Sequence, residues 1–107
     1  MKESTEESLA LLCLFFTPGI GAVSQRRILE KAGSALSLLE SPEKISLEGV
    51  PEKTLSSIRE NSVLERAQKE LRWLQEHDSR VISLLSPDYP PLMKTIHDPP
   101  AIMFCRG

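Results

Sequence analysis

Thr17-Pro18-Gly19-Ile20-Gly21 lies between two helical stretches, and its reading decides the fold. Two glycines let the backbone turn tightly with its amides facing outward. The next helix begins at once, so its unpaired N–H groups and positive dipole end point to the same place. Ile20 is the apolar anchor that holds the corner in the core. The pattern is that of a helix-hairpin-helix turn. Its open amides suit a phosphate group. The same five residues would equally serve only to turn a corner between helices. Arg26, Arg27 and Lys31 follow on the next helix and reach for neighbouring phosphates on the first reading. Such contacts hold a nucleic-acid backbone without reading its sequence.

Upstream, Ser4-Thr5-Glu6-Glu7 fits a capping box, with Ser4 as N-cap and Glu7 reaching back. The helix it opens carries Leu9, Leu12, Cys13 and Phe16 on one face. Leu11, Leu14 and Phe15 extend the apolar surface most of the way round, which predicts a central, buried helix. Pro18 and Gly19 end it.

Downstream, Val23, Ile28, Leu29 and Ala32 mark the apolar positions of a second helix. Gly33-Ser34 stops it, and Ser34 caps a short third helix with Leu36, Leu38 and Leu39. Ser41-Pro42 is a further start signal for one or two turns up to Leu47. Gly49-Val50-Pro51 then repeats the hairpin in degenerate form. Proline replaces the second glycine and removes an amide donor. Glu48 and Glu52 flank it with the wrong charge for phosphate. Its expected role is pseudo-symmetric packing. From Glu52 to about Glu76 the pattern is helical, divided near Asn61-Ser62. Leu64, Ala67, Leu71 and Leu74 form its stripe, with Trp73 at the core margin.

His77-Asp78-Ser79 ends that helix, and the character changes. Val81 to Leu85 and Ala101 to Cys105 are short apolar runs that read as strands. Pro87, Pro90, Pro91, Pro99 and Pro100 stiffen the crossing between them. Residues 1–78 thus read as an all-helical bundle and residues 79–107 as the opening of a sheet. Two strands alone are marginal in water, so self-association through their edges is expected.

Composition narrows the function. The chain has 107 residues, 40% hydrophobic and 26% charged, which is globular and not disordered. A net charge of −2 gives no global pull toward polyanions, so any nucleic-acid contact must be local. The apolar run Leu9–Phe16 is far too short to span a bilayer, and the acidic flank before it argues against a signal peptide. A cytoplasmic protein is expected. Cys13 and Cys105 lie in apolar runs and read as buried free thiols. His77 and His97 have no partner at metal-ligand spacing. Asp88 and Asp98 sit in proline turns, where Asp bonds its own backbone. Tyr89 reads as a wedge under the crossing rather than a base-stacking ring. No catalytic set, metal site or cofactor loop is visible, so the expectation is a non-enzyme with no cofactor.

Leu14–Gly21, then Leu47-Glu48-Gly49-Val50, resemble the two hairpins of the DNA-processing protein A (DprA, or Smf) family. Asp88-Tyr89-Pro90-Pro91-Leu92, Asp98-Pro99-Pro100 and Phe104-Cys105-Arg106-Gly107 resemble the opening of that family's Rossmann-like domain. The resemblance covers nearly the whole chain and is confined to the family's amino-terminal part. It implies a mainly α, sterile-alpha-motif-like bundle followed by the first two strands of an incomplete Rossmann-like α/β domain. It implies a role in natural transformation, where family members bind single-stranded DNA and load the RecA recombinase. The family's main DNA pocket, dimer contacts and RecA contacts lie in the Rossmann-like part, so this chain would be a fragment. Glu48 for the usual proline and Pro51 for a small polar residue are departures.

Two functions follow. One is a DNA-binding accessory module using Gly19, Ile20, Gly21, Arg26, Arg27 and Lys31. The other is a structural or interaction module that positions the neighbouring domain without touching DNA, in keeping with the acidic stretch from Glu40 to Glu60.

Overall fold

The computed structural model describes residues 5–46 and 48–106. Among them are five α-helices and two strands. Helices α1 (Thr5–Phe16), α2 (Ala22–Ala32) and α3 (Ala35–Glu40) come first, then a 3-10 turn at Pro42–Lys44. Helix α4 (Glu52–Ser56) runs into a 3-10 turn at Ser57–Arg59. Helix α5 (Asn61–Glu76), strand β1 (Ser79–Ser83), a 3-10 turn at Pro91–Thr95 and strand β2 (Ile102–Arg106) complete the order. The expected helical bundle followed by two strands is therefore the architecture found.

Helix α1 is central, as its nearly continuous apolar surface predicts. Ala10, Leu11, Leu12, Cys13 and Leu14 are all fully buried. It packs against α5, α3 and β1. Burial raises the Cys13 thiol to about 11, so this sulfur is an inert packing group at neutral pH. Ser4 lies outside the described residues. Glu7 has a task that the capping-box reading did not foresee. Its two carboxylate oxygens accept the amides of Ala35 at 2.8 Å and Leu36 at 2.9 Å, at the start of α3. A carboxylate there satisfies orphan donors and complements the helix dipole. Ser34 caps the same helix, accepting the Ser37 amide at 3.1 Å. At the other end, Arg59 donates to the carbonyls of Leu39 and Glu40. A short helix is thus held at both termini by opposite charges from distant parts of the chain.

The long helical run divides one residue earlier than expected. Glu60, with φ −66° and ψ 145°, is extended and serves as the N-cap of α5. Pro42 begins only a single 3-10 turn, shorter than the reading to Leu47, which itself lies outside the described residues. On α5 the buried side chains are Val63, Ala67 and Leu74, with Leu64 and Leu71 half-buried beside them.

Strand β1 starts and ends two residues before the apolar run Val81–Leu85, because Ser83 begins a turn. Its hydroxyl accepts the Leu85 amide at 3.1 Å, and its carbonyl accepts the Ser86 amide at 2.9 Å. Strands β1 and β2 pair antiparallel, with Val81 opposite Phe104 and Ser83 opposite Ile102. Tyr89 is the wedge expected of it: 2% exposed, its hydroxyl donates to the Pro100 carbonyl at 2.8 Å. Asp88 is engaged by a side chain. It takes a 2.8 Å bond from Arg80, which holds its carboxyl below the usual range. Val81, Ala101 and Ile102 join the same hydrophobic cluster as α1 and α5, so the strands and the bundle share one core.

Candidate nucleic-acid interface

The Gly19 turn is built from α1 outward. The Thr17 hydroxyl donates to the Cys13 carbonyl and closes the last helical turn. Gly19 then takes φ +86°, a conformation that side-chain-bearing residues rarely adopt. Ile20 turns inward and is 7% exposed, the anchor the sequence predicted. Gly21 is the N-cap of α2, and its carbonyl accepts the first helical bond, from Gln25 at 2.9 Å. It brings no side chain to cap the helix, and no acid lies in the first turn. Helix geometry leaves the amides of Ala22, Val23 and Ser24 without intrahelical partners.

At Gly49 a closely similar backbone recurs. Gly49 has φ +87°, Val50 is 9% exposed, and Pro51 is the extended N-cap of α4. The first turn also approaches α4. A Cβ placed on Gly19 would come within 3.3 Å of Thr54 Cγ2 on α4. The first turn thus lies beside α4, the helix that the second turn opens. The chemistry differs at the second turn. Pro51 offers no amide, Glu52 lies in the first turn of α4, and Glu48 is exposed beside Gly49. Each change weakens an anion site.

The three cations of α2 are placed unequally. Arg27 is exposed, and Lys31 stands one turn further along the same face. Lys31 donates Nζ to the Ser46 carbonyl, which tethers α2 to the loop before the second turn. Arg26 points another way. Its guanidinium lies 3.7 Å from Asp98 in the proline-rich crossing, in a groove shared with Glu30, Lys94 and His97. The three cations therefore diverge: Arg26 is drawn toward the tail, Lys31 at the far end of α2 toward Ser46, and Arg27 is exposed on the helix that Gly21 opens.

A second surface went unread in the sequence. Phe15 and Trp73, expected in or beside the core, are 41% and 51% exposed, and Phe104 is 41% exposed. With Phe16, Leu74 and Arg106 they line a groove of about 380 Å³. Phe15 and Phe104 meet edge-to-face with ring centres 5.2 Å apart, and Trp73 stacks on His77 at 4.0 Å. Cys105, expected to be buried, is half-exposed at this groove. Phe104 and Arg106 share a face of β2 with the buried Ile102, so alternation alone does not mark them as exposed.

Among the described residues no cluster of three His, Cys, Asp or Glu side chains is placed to hold a metal ion. No helix of the described chain is long and apolar enough to cross a membrane. Comparison of this chain with protein-family models, with curated proteins and with solved structures finds no match.

Proposed function

We propose that this chain is a DNA-binding accessory module without catalytic activity, of the kind found at the amino terminus of DprA-like proteins. The observation that carries the reading is the pair of matched turns, Gly19-Ile20-Gly21 and Gly49-Val50-Pro51, the first lying beside Thr54 of the helix that the second opens. Tandem turns of this shape offer helix N-termini side by side, and here one keeps its amides and basic flank. Gly19, Ile20 and Gly21 hold a phosphate through backbone N–H groups. Arg27 and Lys31 take the next phosphates, and Arg26 joins when Asp98 releases it. Binding is independent of base sequence and sensitive to salt. The setting is cytoplasmic and the process natural transformation. The partners are single-stranded DNA and, for the longer family members, the RecA recombinase.

Fluorescence anisotropy of labelled DNA tests the reading at about 20 mM salt, where phosphate contacts are strongest. Arg27→Glu should weaken binding about tenfold or more, since it removes one contact and adds a repulsion. Absence of binding, or binding indifferent to Arg27→Glu, overturns the reading.

A second reading has its own observation. Arg26 and Lys31 are both engaged within the chain, to Asp98 and the Ser46 carbonyl. On that reading the bundle positions a neighbouring domain and α2 serves internal bracing. Glutamine at both positions then lowers the melting temperature and leaves the chain without DNA affinity to lose.

A further inference from the structure

The two strands have unequal outer edges. Successive residues of an antiparallel strand point their N–H and C=O groups to opposite sides in turn. The Leu84 amide donates to the opposite carbonyl of Ala101 at 2.8 Å, in line with the pairing of Ser83 with Ile102 and Val81 with Phe104. The backbone groups of Met103 and Cys105 therefore face β1, and those of Ile102, Phe104 and Arg106 face away from it. On β1 the outward residues are Ser79, Val81 and Ser83. That edge is closed at Ser83, whose carbonyl takes the Ser86 amide at 2.9 Å, and Val81 and Ser83 are both buried. Among the described residues no third strand pairs with β2, and no turn bond reaches its outward groups. Natural edges are blunted by lysine, proline or a bulge. Ile102-Met103-Phe104-Cys105-Arg106 has none of these, and its single charge stands at the end. The aromatic groove lies on the same strand, with Phe104 and Arg106 in its lining beside Phe15 and Trp73. Apolar rings clustered in the open mark an interaction surface. Its one cation, Arg106, is matched by one carboxylate, Glu70, so it favours neither an acidic nor a basic partner. A surface that carries both signs and flat rings complements itself, as a two-fold interface requires.

We infer that two copies of this chain pair through the open edge of β2, antiparallel about a two-fold axis at Phe104. Only that register engages all three outward residues. Phe104 then stands opposite Phe104 of the second copy, and Ile102 opposite its Arg106. The two short sheets join into one of four strands, which relieves the weakness of an isolated pair. Side chains of directly opposed residues share a face, so the two Phe104 rings meet there, each beside its own Phe15 at 5.2 Å. The open sides of both grooves are covered in one step. Assembly stops at two, because the outer edge of β1 is closed at Ser83. The pairing needs no DNA and leaves the Gly19 turn outside the strand contact.

Sedimentation equilibrium of the parent chain over a wide concentration range should show a reversible monomer–dimer equilibrium and no larger species. Phe104→Lys sets like charges against each other at the two-fold axis and should weaken the dimer about tenfold or more. Met103→Cys reads the register, and it keeps the test decisive should Phe104→Lys fail to fold. In the dimer, position 103 of one copy and Cys105 of the other form a non-hydrogen-bonded pair with Cα atoms about 4.5 Å apart. That separation lies within disulfide reach, roughly 4.4–6.8 Å. The two Cys105 residues sit diagonally, roughly 7–8 Å apart or more, outside that reach. Oxidation with diamide should therefore join Met103→Cys into a covalent dimer on a non-reducing gel and cross-link the parent far less. A parent chain that stays monomeric at every concentration overturns the inference, as does a dimer indifferent to Phe104→Lys. Assemblies larger than two would show that β1 is also an open edge. Cross-linking of the parent equal to that of Met103→Cys would show another register. Either result contradicts the proposed pairing.

Discussion

The Gly19 and Gly49 turns have nearly the same backbone and opposite surroundings. Both put a glycine at φ near +86°, bury the next aliphatic side chain and open a helix from an extended N-cap. Yet Gly19 leads to a helix with open amides and arginines, and Gly49 to one with Pro51 and Glu52. The difference separates shape from chemistry. The turn is a way to join two helices through a buried anchor, and it serves packing at both places. What would make it an anion site is the donor count and the sign of nearby charge, and the two turns differ in both.

Substitution at the anchors should give the largest effects. Ile20→Ala is expected to destabilise by about 2–4 kcal/mol in urea unfolding, the range for removing a buried aliphatic side chain. Val50→Ala should cost less, about 1–2 kcal/mol, because fewer methylenes leave the core. A reversed order would mean that the second turn is the principal corner.

The glycines come next. Gly49→Ala meets nothing within 4 Å, so only its left-handed backbone opposes the change, at about 1–2 kcal/mol. Gly19→Ala carries the same strain and adds the Thr54 contact at 3.3 Å. It should exceed Gly49→Ala by about 0.5–1 kcal/mol, as tight packing resists an added methyl. Thr54→Ser removes the opposing methyl and should abolish that excess in a double-mutant cycle. Failure of the rescue would break the claim that Thr54 of α4 packs against the first turn.

Charge changes are smaller and act on binding. Lysine at both Glu48 and Glu52 should strengthen DNA binding about threefold to tenfold at low salt, with the gain lost as salt rises. Asp98→Asn should free Arg26 and raise affinity about twofold, the modest effect of releasing an exposed ion pair. Melting curves of these variants should stay close to that of the parent chain.

Much of this was legible in the sequence for identifiable reasons. Strong punctuation marked the elements: Pro18-Gly19 closed α1, Gly33-Ser34 separated α2 from α3, and Ser34 capped where a serine should. The hairpin and its degenerate copy were visible because a left-handed turn before a helix almost requires glycine. Tyr89 was legible because a lone tyrosine among prolines has few other roles. The long-range assignments were hidden. Nothing local tells that Glu7 caps α3, that Arg59 closes it, or that Arg26 pairs with Asp98. Those depend on which elements meet, and a one-dimensional pattern does not carry that. The aromatic groove escaped for a related reason. Phe15, Trp73 and Phe104 each sit beside a sound apolar stripe, and their exposure appears only when α1, α5 and β2 are placed together.

The most direct test of the central claim is amide chemical-shift mapping of the uniformly labelled chain during titration with oligothymidylate at low salt. The account predicts that the amides of residues 19–24 move first and furthest, while those of residues 49–54 stay in place apart from Thr54, which touches the first turn. Shifts spread equally over both turns, or confined to α4, would show that the helix N-terminus of the Gly19 turn is not the phosphate site and would contradict it.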